Sequence, residues 1–580
     1  MNLFEEFKRN RIEHSGDAAF LVASGDRSVP ITWKEFTDDI EAVSWVIKKY
    51  VSQGTVALLG ENSYEWIVAH AALVFSGAKV VPLEVTLSAE DVAERLSFTG
   101  ARILIHSSLY FEKAREVKRL LPHLTIGGFG SRRSEFFIGL GRSAMKSGEE
   151  GLFSGPGPNE QDISMLVYTS GTTSDPRAAE QTLEGLGLFC DVWKGRLDMQ
   201  YGDHSLMVLP THHIFGICVV YLMLSCGVVL GVCPDFHRLY DAVERFRANF
   251  LFLVPALADI LATKIMHHAP TAEGALGAPL RWVLTGGAPL SQKTYAKLRS
   301  LGINPLCAYG LTETMSLYSI TPCGDKDHAC SAGKIADDPR VETKVSSDGE
   351  LMIRGANVFK GYHKKAAKTR EVLSEDGWFN TGDYGKIDED GFVWIIGRAS
   401  RTIVLSSGKK VAPEELEEKI MALPGVNEVM VSKGELSRDI KAEVFASISI
   451  EKLRTLIDEL NETLPLYKRI REVVPRSEPF TRTASGKIKL GKLNEAIDEK
   501  PTVADGGKAK KSSIVLSMAG FALLAVIVTS IGIIPNLMRA LGVDVPLGVL
   551  KILEFIDIFS EGLLIVLFII KIIAVMQDKR

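Results

Sequence analysis

The chain has 580 residues, of which 46% are hydrophobic, and its formal net charge is -4 at pH 7. A chain of this length exceeds what one hydrophobic core can organise, so we expect several domains. The balanced charge and the lack of a basic stripe interleaved with aromatic residues exclude a nucleic-acid-binding protein, while seven cysteines without CxxC spacing indicate a reducing compartment rather than a disulfide framework.

The N-terminal part alternates helical and strand-like hydrophobic patterns. The spacing of apolar residues predicts helices over Trp33–Tyr50 and Trp66–Phe75, and strands over Val56–Gly60, Ala78–Pro82 and Ala101–His106. Because strands and helices alternate, we expect a largely parallel sheet covered by helices on both faces.

A run of small hydroxyl residues and glycine follows the next predicted strand. Apolar residues alternate over Ile163–Val167, and the sequence then reads YTSGTTSDPRAA from Tyr168 to Ala179. The backbone amides and hydroxyls of residues 169–174 can converge on phosphate oxygens, because little side-chain bulk separates them. The same composition is also typical of a surface turn ended by Asp175-Pro176.

Farther along, a histidine pair lies in a turn bounded by Pro210 and Gly216. A paired histidine at a turn is commonly a surface or core histidine, and this alternative stays open for His212 and His213. Residues 218–232 are almost wholly apolar but too few to span a bilayer, so they predict a buried helix.

Two glycine-bearing turns follow predicted buried strands, at Val283–Pro289 and Ala308–Thr314. Loops at the carboxyl ends of parallel strands are where open α/β sheets bind ligands. The carboxylate of Glu313 is a suitable ligand for a hard cation that is already bound to phosphate. The alternative is a solvated glutamate in a polar turn.

A β-rich region and a new domain follow. Residues 349–355 and 392–396 predict strands, and between them Asp383 follows a Thr-Gly pair that predicts a turn. Such a carboxylate can accept hydrogen bonds from vicinal hydroxyls, although a turn-forming aspartate is the simpler alternative. A new apolar pattern starts after residues 397–400, and Pro413 followed by acidic residues predicts a helix start.

Residues 479–488 form a polar loop that contains Gly486 and Lys487. This pair is not a Walker loop, because Thr481 stands where the first glycine would be required.

The C-terminal residues are different in kind. A flexible basic linker over 496–513 precedes 514–534, a run without charge that is long enough for a transmembrane helix. Residues 555–576 predict a second transmembrane or interfacial helix, and charged residues interrupt them. Lysines before the first span and after the second predict a hairpin with both ends cytoplasmic, and hence a membrane-anchored protein with cytoplasmic catalytic domains. A soluble helical hairpin or a partner-binding segment is the alternative.

Taken in order, these motifs resemble those of the adenylate-forming superfamily, which includes acyl-CoA synthetases, peptide-synthetase adenylation domains and luciferases. The resemblance covers roughly residues 15–495, and the segments ENSYEW (61–66) and IVLSSGKKVAPEE (403–415) look most like long-chain fatty acyl-CoA synthetases. It implies an α/β fold with a large AMP-binding domain of parallel-rich sheets and a β-rich subdomain (1–396), a hinge (397–400), and a small mobile α+β domain (401–495), before the C-terminal transmembrane helix or hairpin.

The resemblance also implies a role for each residue that matches a superfamily motif. The phosphate-binding loop comprises Thr169, Ser170, Gly171, Thr172, Thr173 and Arg177; Gly287, Ala288, Pro289, Tyr309 and Gly310 surround the nucleotide; Glu313 and Thr169 bind Mg²⁺. Thr312 contacts the α-phosphate, His213 lies beside the acyl substrate, Asp383 and Arg398 hold the ribose, and Lys487 enters the site for adenylation.

Four residues depart from the superfamily pattern. Ser174 and Ala178 replace glycines, which restricts the backbone, while Arg177 replaces lysine and keeps its charge. At the hinge, Ser400 stands where aspartate or lysine is common.

The implied activity is ATP- and Mg²⁺-dependent activation of a carboxylic acid, a medium- or long-chain fatty acid, to an acyl-adenylate, followed by thioester formation with CoA. One alternative acceptor is the phosphopantetheine of an acyl carrier protein. An alternative from another class is a catalytically weak, membrane-anchored scaffold that binds nucleotide or acyl chains.

Overall fold

A computed structural model describes residues 1–24, 27–50, 54–129, 151–169, 176–233, 235–405, 409–434 and 440–480. The helices are α1 Leu3–Glu13, α2 Trp33–Tyr50, α3 Tyr64–Phe75, α4 Ala89–Thr99, α5 Phe111–Leu120, α6 Leu183–Lys194, α7 Ile214–Ser225, α8 Leu239–Phe246, α9 Pro255–His268, α10 Ala272–Leu276, α11 Gln292–Ser300, α12 Ala366–Val372, α13 Pro413–Met421 and α14 Ile450–Thr463. The strands are β1 Ala18–Ser24, β2 Arg27–Thr32, β3 Thr55–Leu59, β4 Lys79–Leu83, β5 Ile103–Ser107, β6 Thr125–Phe129, β7 Ile163–Tyr168, β8 Ala178–Thr182, β9 His204–Met207, β10 Val229–Val232, β11 Phe250–Leu253, β12 Trp282–Thr285, β13 Asn304–Tyr309, β14 Ser319–Ile320, β15 Lys334–Ile335, β16 Val341–Val345, β17 Glu350–Gly355, β18 Phe379–Ile387, β19 Val393–Arg398, β20 Ile403–Val404, β21 Lys410–Val411, β22 Val426–Lys433, β23 Ile440–Ala446 and β24 Ile470–Arg476.

The first large sheet has the order β6-β5-β3-β4-β7-β8 and is parallel except for the antiparallel pair β7–β8. Helix α3 packs in the core with nearly all of its side chains buried. It begins at Tyr64, two residues before the predicted start, because the Ser63 side chain accepts a hydrogen bond from the Trp66 amide and caps the helix. The expected parallel-rich α/β arrangement is confirmed.

Two further sheets complete the large domain core. One has the order β2-β1-β10-β9, and the other has the order β11-β12-β13-β14-β15 with parallel pairing from β11 to β13. Strands β12 and β13 therefore end at the same edge, where both predicted glycine-bearing turns lie.

The prediction of one buried helix over residues 218–232 is wrong in its second half. Helix α7 ends at Ser225, and residues 229–232 form strand β10. The chain turns at Gly227, whose φ of +68° lies in the left-handed region, and a Cβ there would overlap the ring of Tyr201. The β-branched residues that follow then favour a strand.

The β-rich region is an antiparallel sheet of order β16-β17-β18-β19. The predicted turn at Thr381-Gly382-Asp383 is wrong, because these residues lie inside β18. The pairing of β18 with β17 and with β19 is irregular around them, and Gly382 has a φ of +72°. A local irregularity in a strand, rather than a turn, therefore presents Asp383.

Residues 403–480 contain a hydrophobic core of their own, formed by helices α13 and α14 and strands β22 to β24. Helix α13 begins at Pro413 with Glu414 and Glu415 in its first turn, as predicted. The boundaries of the hinge and the small domain stay predictions.

Among the described residues, no helix is both long and apolar enough to cross a membrane. The two predicted membrane segments, 514–534 and 555–576, and the basic linker lie outside the described residues.

Candidate functional site

The predicted phosphate-binding loop connects the two strands of a hairpin. Strand β7 pairs with β8 so that Tyr168 lies opposite Ala178, and the Thr169 amide donates to the Arg177 carbonyl at 2.9 Å. The hairpin therefore closes at Thr169 and Arg177. The predicted residues Ser170, Gly171, Thr172 and Thr173, together with Ser174, lie outside the described residues. The sequence pattern did not predict the second strand, which begins with buried Ala178.

The first glycine-bearing turn follows β12. Gly287, with a φ of +82°, is exposed together with Ala288 and Pro289, which leaves this turn accessible to a ligand. At the neighbouring Gly286, a Cβ would lie only 3.0 Å from the ring of Phe215. The absence of a side chain at Gly286 therefore allows the start of α7 to pack against the turn.

His213 lies at the N-terminus of the same helix α7. Its Nδ1 accepts a hydrogen bond from the Phe215 amide at 3.2 Å and caps the helix. The preceding turn is held by Asn62, whose amide donates to the Leu209 carbonyl at 2.9 Å and whose Oδ1 accepts from the Thr211 amide at 3.0 Å. His213 therefore lies two residues before Phe215, whose ring is close to Gly286, and the resemblance puts the acyl substrate beside this histidine.

The second turn, after β13, carries Thr312 and Glu313. Residues 312–314 form a single turn of 3₁₀ helix, and the Gln181 amide of β8 donates to the Thr312 carbonyl. The hydroxyl of Tyr362 donates to Glu313 Oε1 at 2.6 Å. These hydrogen bonds connect the turn both to the hairpin of β7 and β8, which carries the predicted phosphate-binding loop, and to the segment after β17.

Tyr309, Asp383 and Arg398 are in direct contact. The Tyr309 hydroxyl donates to Asp383 Oδ2 at 2.6 Å, and Arg398 Nε lies 2.8 Å from Asp383 Oδ1. Asp383 and Arg398 are register partners across β18 and β19. Burial and the adjacent Asp383 carboxylate raise the pKa of Tyr309 well above its ordinary value, so this hydroxyl stays a donor.

The turn between Tyr309 and Glu313 requires a glycine. A Cβ on Gly310 would lie 2.2 Å from the backbone of Ser316. The close approach of these two backbone segments holds Tyr309 and Glu313 on either side of one short turn. Tyr309 with its partner Asp383, the candidate for binding the ribose, and Glu313, the candidate for binding the metal, are therefore parts of one site.

Glu313 fits the role of a Mg²⁺ ligand that is completed by a nucleotide. Among the described residues, no group of three or more His, Cys, Asp or Glu could hold a metal ion by itself. Mg²⁺ commonly binds through one or two carboxylates together with substrate phosphates and water. Glu313, a half-buried carboxylate in the turn after β13 that the Gln181 side chain of β8 connects to the hairpin, matches this donor set.

The profile of the AMP-binding enzyme family matches residues 8–363, which is more than half of the chain. The chain belongs to the AMP-binding enzyme family. Several proteins that are similar to this chain are CoA ligases. Long-chain-fatty-acid–CoA ligase FadD15 of Mycobacterium bovis is 26% identical over 449 residues, which cover 68% of this chain and 73% of that protein. Long-chain-fatty-acid–CoA ligase 5 of Mus musculus is 26% identical over 457 residues, and indoleacetate–CoA ligase of Aromatoleum aromaticum is 26% identical over 462 residues. The match to the mouse protein covers 67% of this chain and 66% of that protein. The match to the Aromatoleum aromaticum protein covers 77% of this chain and 88% of that protein.

Solved structures of AMP-binding ligases show the same fold. ATP-bound MatB from Rhodopseudomonas palustris superposes with a TM-score of 0.71 at 22% identity and covers 84% of this chain and 97% of its own. O-succinylbenzoate coenzyme A synthetase from Bacillus subtilis, in complex with ATP and a magnesium ion, gives 0.69 at 21% identity with coverage of 84% and 98%. The family and its CoA ligase relatives support an AMP-forming acid–CoA ligase, so the predicted enzyme class is confirmed.

Lys487, the predicted catalytic lysine of this AMP-binding enzyme, lies outside the described residues. The roles of the other site residues stay predictions, although the structure brings many of these residues together. Sequence reasoning missed Tyr362, Gln181 and Asn62. Tyr362 lies 49 residues from Glu313, so no local pattern connects the two. Asn62 lies within the ENSYEW segment, where a polar residue three positions after the end of a buried strand was the available signal.

Proposed function

We propose that this AMP-binding enzyme converts a medium- or long-chain fatty acid to its CoA thioester through an acyl-adenylate. The observation that carries the proposal is the contact of Tyr309, at the end of β13, with Asp383 inside β18, and the position of Glu313 in the turn directly after β13, which Gln181 connects to β8. In this proposal, Glu313 binds the metal that is bound to phosphate, and Asp383 binds the ribose. The fatty-acid substrate is supported by relatives that are long-chain-fatty-acid–CoA ligases.

The first step replaces a poor leaving group. A carboxylate oxygen of the acid attacks the α-phosphorus of ATP, a P–O bond forms, and the bond to the β-phosphate breaks to release pyrophosphate. Bound at Glu313, Mg²⁺ would offset charge on the phosphates, and Lys487 would do so where the two anions meet. Asp383 and Arg398 would hold the ribose, and Thr312 would contact the α-phosphate.

The second step transfers the acyl group. The thiol sulfur of CoA attacks the acyl carbonyl carbon, the bond to AMP breaks, and the thiol proton passes to solvent. We place a rotation of the small domain between the two steps, about residues 397–400. In support, Arg398 pairs with Asp383 of the large domain, while Arg401 pairs with Glu414 at 3.0 Å in helix α13. Two arginines that are three residues apart therefore form ion pairs with different parts of the protein, one with β18 and the other with helix α13.

The test is a product assay with purified protein, ATP, Mg²⁺ and saturated acids of increasing chain length. We expect acyl-CoA and AMP to form in equal amounts, with the highest kcat/KM for medium or long chains. Formation of AMP without acyl-CoA, and loading of a carrier protein instead, would identify the alternative acceptor. Nucleotide binding without turnover of any acid would support the scaffold alternative and reject the enzyme.

We also propose that residues 514–534, with a contribution from 555–576, anchor the protein in a membrane with its catalytic domains in the cytoplasm. The support is the uncharged run and the lysines that precede it. Full-length protein should resist carbonate extraction, whereas a chain that ends before Ser512 should be soluble and still adenylate short-chain acids. Recovery of the full-length chain in the carbonate-soluble fraction would reject the anchor.

A further inference from the structure

We propose that Tyr362 is a positioning residue that fixes the carboxylate of Glu313 for the metal and connects it to the phosphate-binding hairpin. The inference rests on the proposed role of Glu313 in binding Mg²⁺ with ATP. It assigns a function to a tyrosine that none of the motifs of the sequence analysis contains.

The contact between the two side chains is short and sheltered. The Tyr362 hydroxyl lies 2.6 Å from Glu313 Oε1, and the tyrosine is only 6% exposed. A tyrosine hydroxyl is protonated at neutral pH, so it is the donor in this contact with a carboxylate. Of the two carboxylate oxygens, the hydroxyl donates to Oε1. The tyrosine therefore fixes one oxygen of the carboxylate and leaves the other for a cation.

The backbone around Tyr362 is fixed to β8, which follows the phosphate-binding loop. The Glu180 amide donates to the Gly361 carbonyl at 2.9 Å, and the His363 amide donates to the Ala178 carbonyl at 2.8 Å. Ala179 and Tyr362 form an antiparallel bridge between these hydrogen bonds. The segment therefore extends the edge of the hairpin, and a displacement of β8 would displace Tyr362.

A second set of contacts holds the tyrosine from the opposite side. Its amide donates to Thr369 Oγ1 at 2.9 Å, and its ring packs edge-on against Phe359. Gly361 has a φ of +147°, and a Cβ there would lie 3.0 Å from the Thr369 side chain, so the glycine before the tyrosine is required. These contacts restrict the rotation of the ring and the position of its hydroxyl.

Tyr362 also contacts Arg177, the cationic residue at the end of the predicted phosphate-binding loop. The guanidinium carbon of Arg177 lies 5.6 Å from the centroid of the Tyr362 ring, within the range of a cation–π contact. One tyrosine thus contacts both the arginine that replaces the usual lysine of the loop and the proposed metal ligand. This geometry can set the distance between a phosphate-binding cation and a phosphate-bound metal.

The test measures metal affinity directly. Tyr362→Phe removes the hydroxyl and keeps the ring, and free Mn²⁺ is followed by electron paramagnetic resonance in the presence of the protein and α,β-methylene-ATP. We expect the dissociation constant of Mn²⁺ to rise roughly 10-fold, the effect of losing one hydrogen bond to a charged group. Saturating Mg²⁺ should largely restore kcat for adenylation, because Glu313 itself is still present.

Three further variants make the result specific. Tyr240→Phe is the matched control, because the Tyr240 hydroxyl donates to the Ala275 carbonyl at 3.0 Å, away from the site; it should leave metal affinity unchanged. Adding Tyr362→Phe to Glu313→Gln should cause no further loss of metal affinity, because the two residues act through one interaction. If Tyr362→Phe does not fold, Thr369→Val tests the same positioning and should weaken Mn²⁺ binding to a smaller extent.

The outcomes separate this inference from the proposed function. Wild-type affinity for Mn²⁺ in Tyr362→Phe, in a protein that adenylates acids, overturns the inference and leaves the function intact. If Tyr362→Phe binds Mn²⁺ more weakly than the wild type and the wild type adenylates no acid, the inference is supported and the proposed function is rejected. Additive losses in the double variant would show that Tyr362 acts independently of Glu313 and would also overturn the inference.

Discussion

The candidate site contains two carboxylates whose surroundings differ. On the ribose side, which comprises Tyr309, Asp383 and Arg398, the aspartate is 2% exposed, and protein donors occupy both of its oxygens. On the metal side, which comprises Glu313 and Tyr362, the glutamate is half-buried, and the Tyr362 hydroxyl donates to one of its oxygens, Oε1.

The difference shows how a site can be preorganised in two ways. A carboxylate with both oxygens occupied is satisfied without its ligand, so ribose hydroxyls must replace or share existing donors. A half-buried carboxylate that a tyrosine holds through one oxygen is oriented for a cation and gains a further partner on binding. We therefore expect substitutions on the metal side to reduce turnover most, and substitutions on the ribose side to change nucleotide affinity and stability.

The largest effect is expected for Glu313→Gln. Loss of the charge removes a metal ligand from the step in which charge develops on the phosphates, so the adenylation rate should fall roughly 10²-fold or more and the Mg²⁺ requirement should rise. Initial rates across a Mg²⁺ titration measure both quantities. Glu342→Gln, which removes an exposed carboxylate paired with Arg354, is the control and should change neither.

Asp383→Asn should have the next largest effect. The amide cannot accept at both oxygens, so the KM for ATP should rise about 10-fold, the range of a hydrogen bond to a charged group, with a smaller change in kcat. Asp388→Asn provides a control in the same hairpin, because Asp388 pairs with Trp394 outside the site. A fall in kcat that equals the change for Glu313→Gln would show that the two sides do not differ in role.

Tyr309→Phe sharpens the comparison. It removes a donor from buried Asp383, so the free protein should lose about 1 kcal/mol of stability, while ribose hydroxyls can occupy the vacant acceptor. Thermal unfolding with and without ATP should therefore show a larger stabilisation by ATP than in the wild type. Equal stabilisation in both proteins would mean that Tyr309 does not compete with the nucleotide for Asp383.

The smallest effect is expected for Arg177→Lys. The charge is retained, and the planar contact with the Tyr362 ring is lost, which is worth about 0.5–1 kcal/mol at a partly exposed position. The KM for ATP should change by no more than about 5-fold. Arg177→Ala, which also removes the charge, should raise KM further, and an equal effect of both variants would show that the charge at this position is unimportant.

Local patterns in the sequence predicted much of the fold. Helix α2 has the predicted bounds Trp33–Tyr50, and β12 and β13 precede the two glycine-bearing turns as expected. Such elements follow from the spacing of apolar residues within one segment. The motif residues Tyr309, Asp383 and Arg398 were also identified from sequence, through the resemblance, and they lie in direct contact.

What the sequence did not predict depends on contacts between distant segments. The strand that carries Asp383 looked like a turn, because its Thr-Gly pair is typical of turns and its pairing partners lie elsewhere in the chain. Strand β10 looked like part of a helix, because an apolar run carries no period that separates the two. The contact of Tyr362 with Glu313 arises only when the segment after β17 pairs with β8.

The most direct test of the account is carboxylate-dependent exchange of labelled pyrophosphate into ATP, measured for the wild type and for Lys487→Ala. If acyl-adenylate forms at this site, exchange in the wild type should require both a fatty acid and Mg²⁺. The Lys487→Ala variant should lose exchange and still convert a supplied acyl-adenylate to acyl-CoA. Absence of acid-dependent exchange in the folded wild-type protein, or equal loss of both reactions in the variant, would contradict the proposed two-step mechanism.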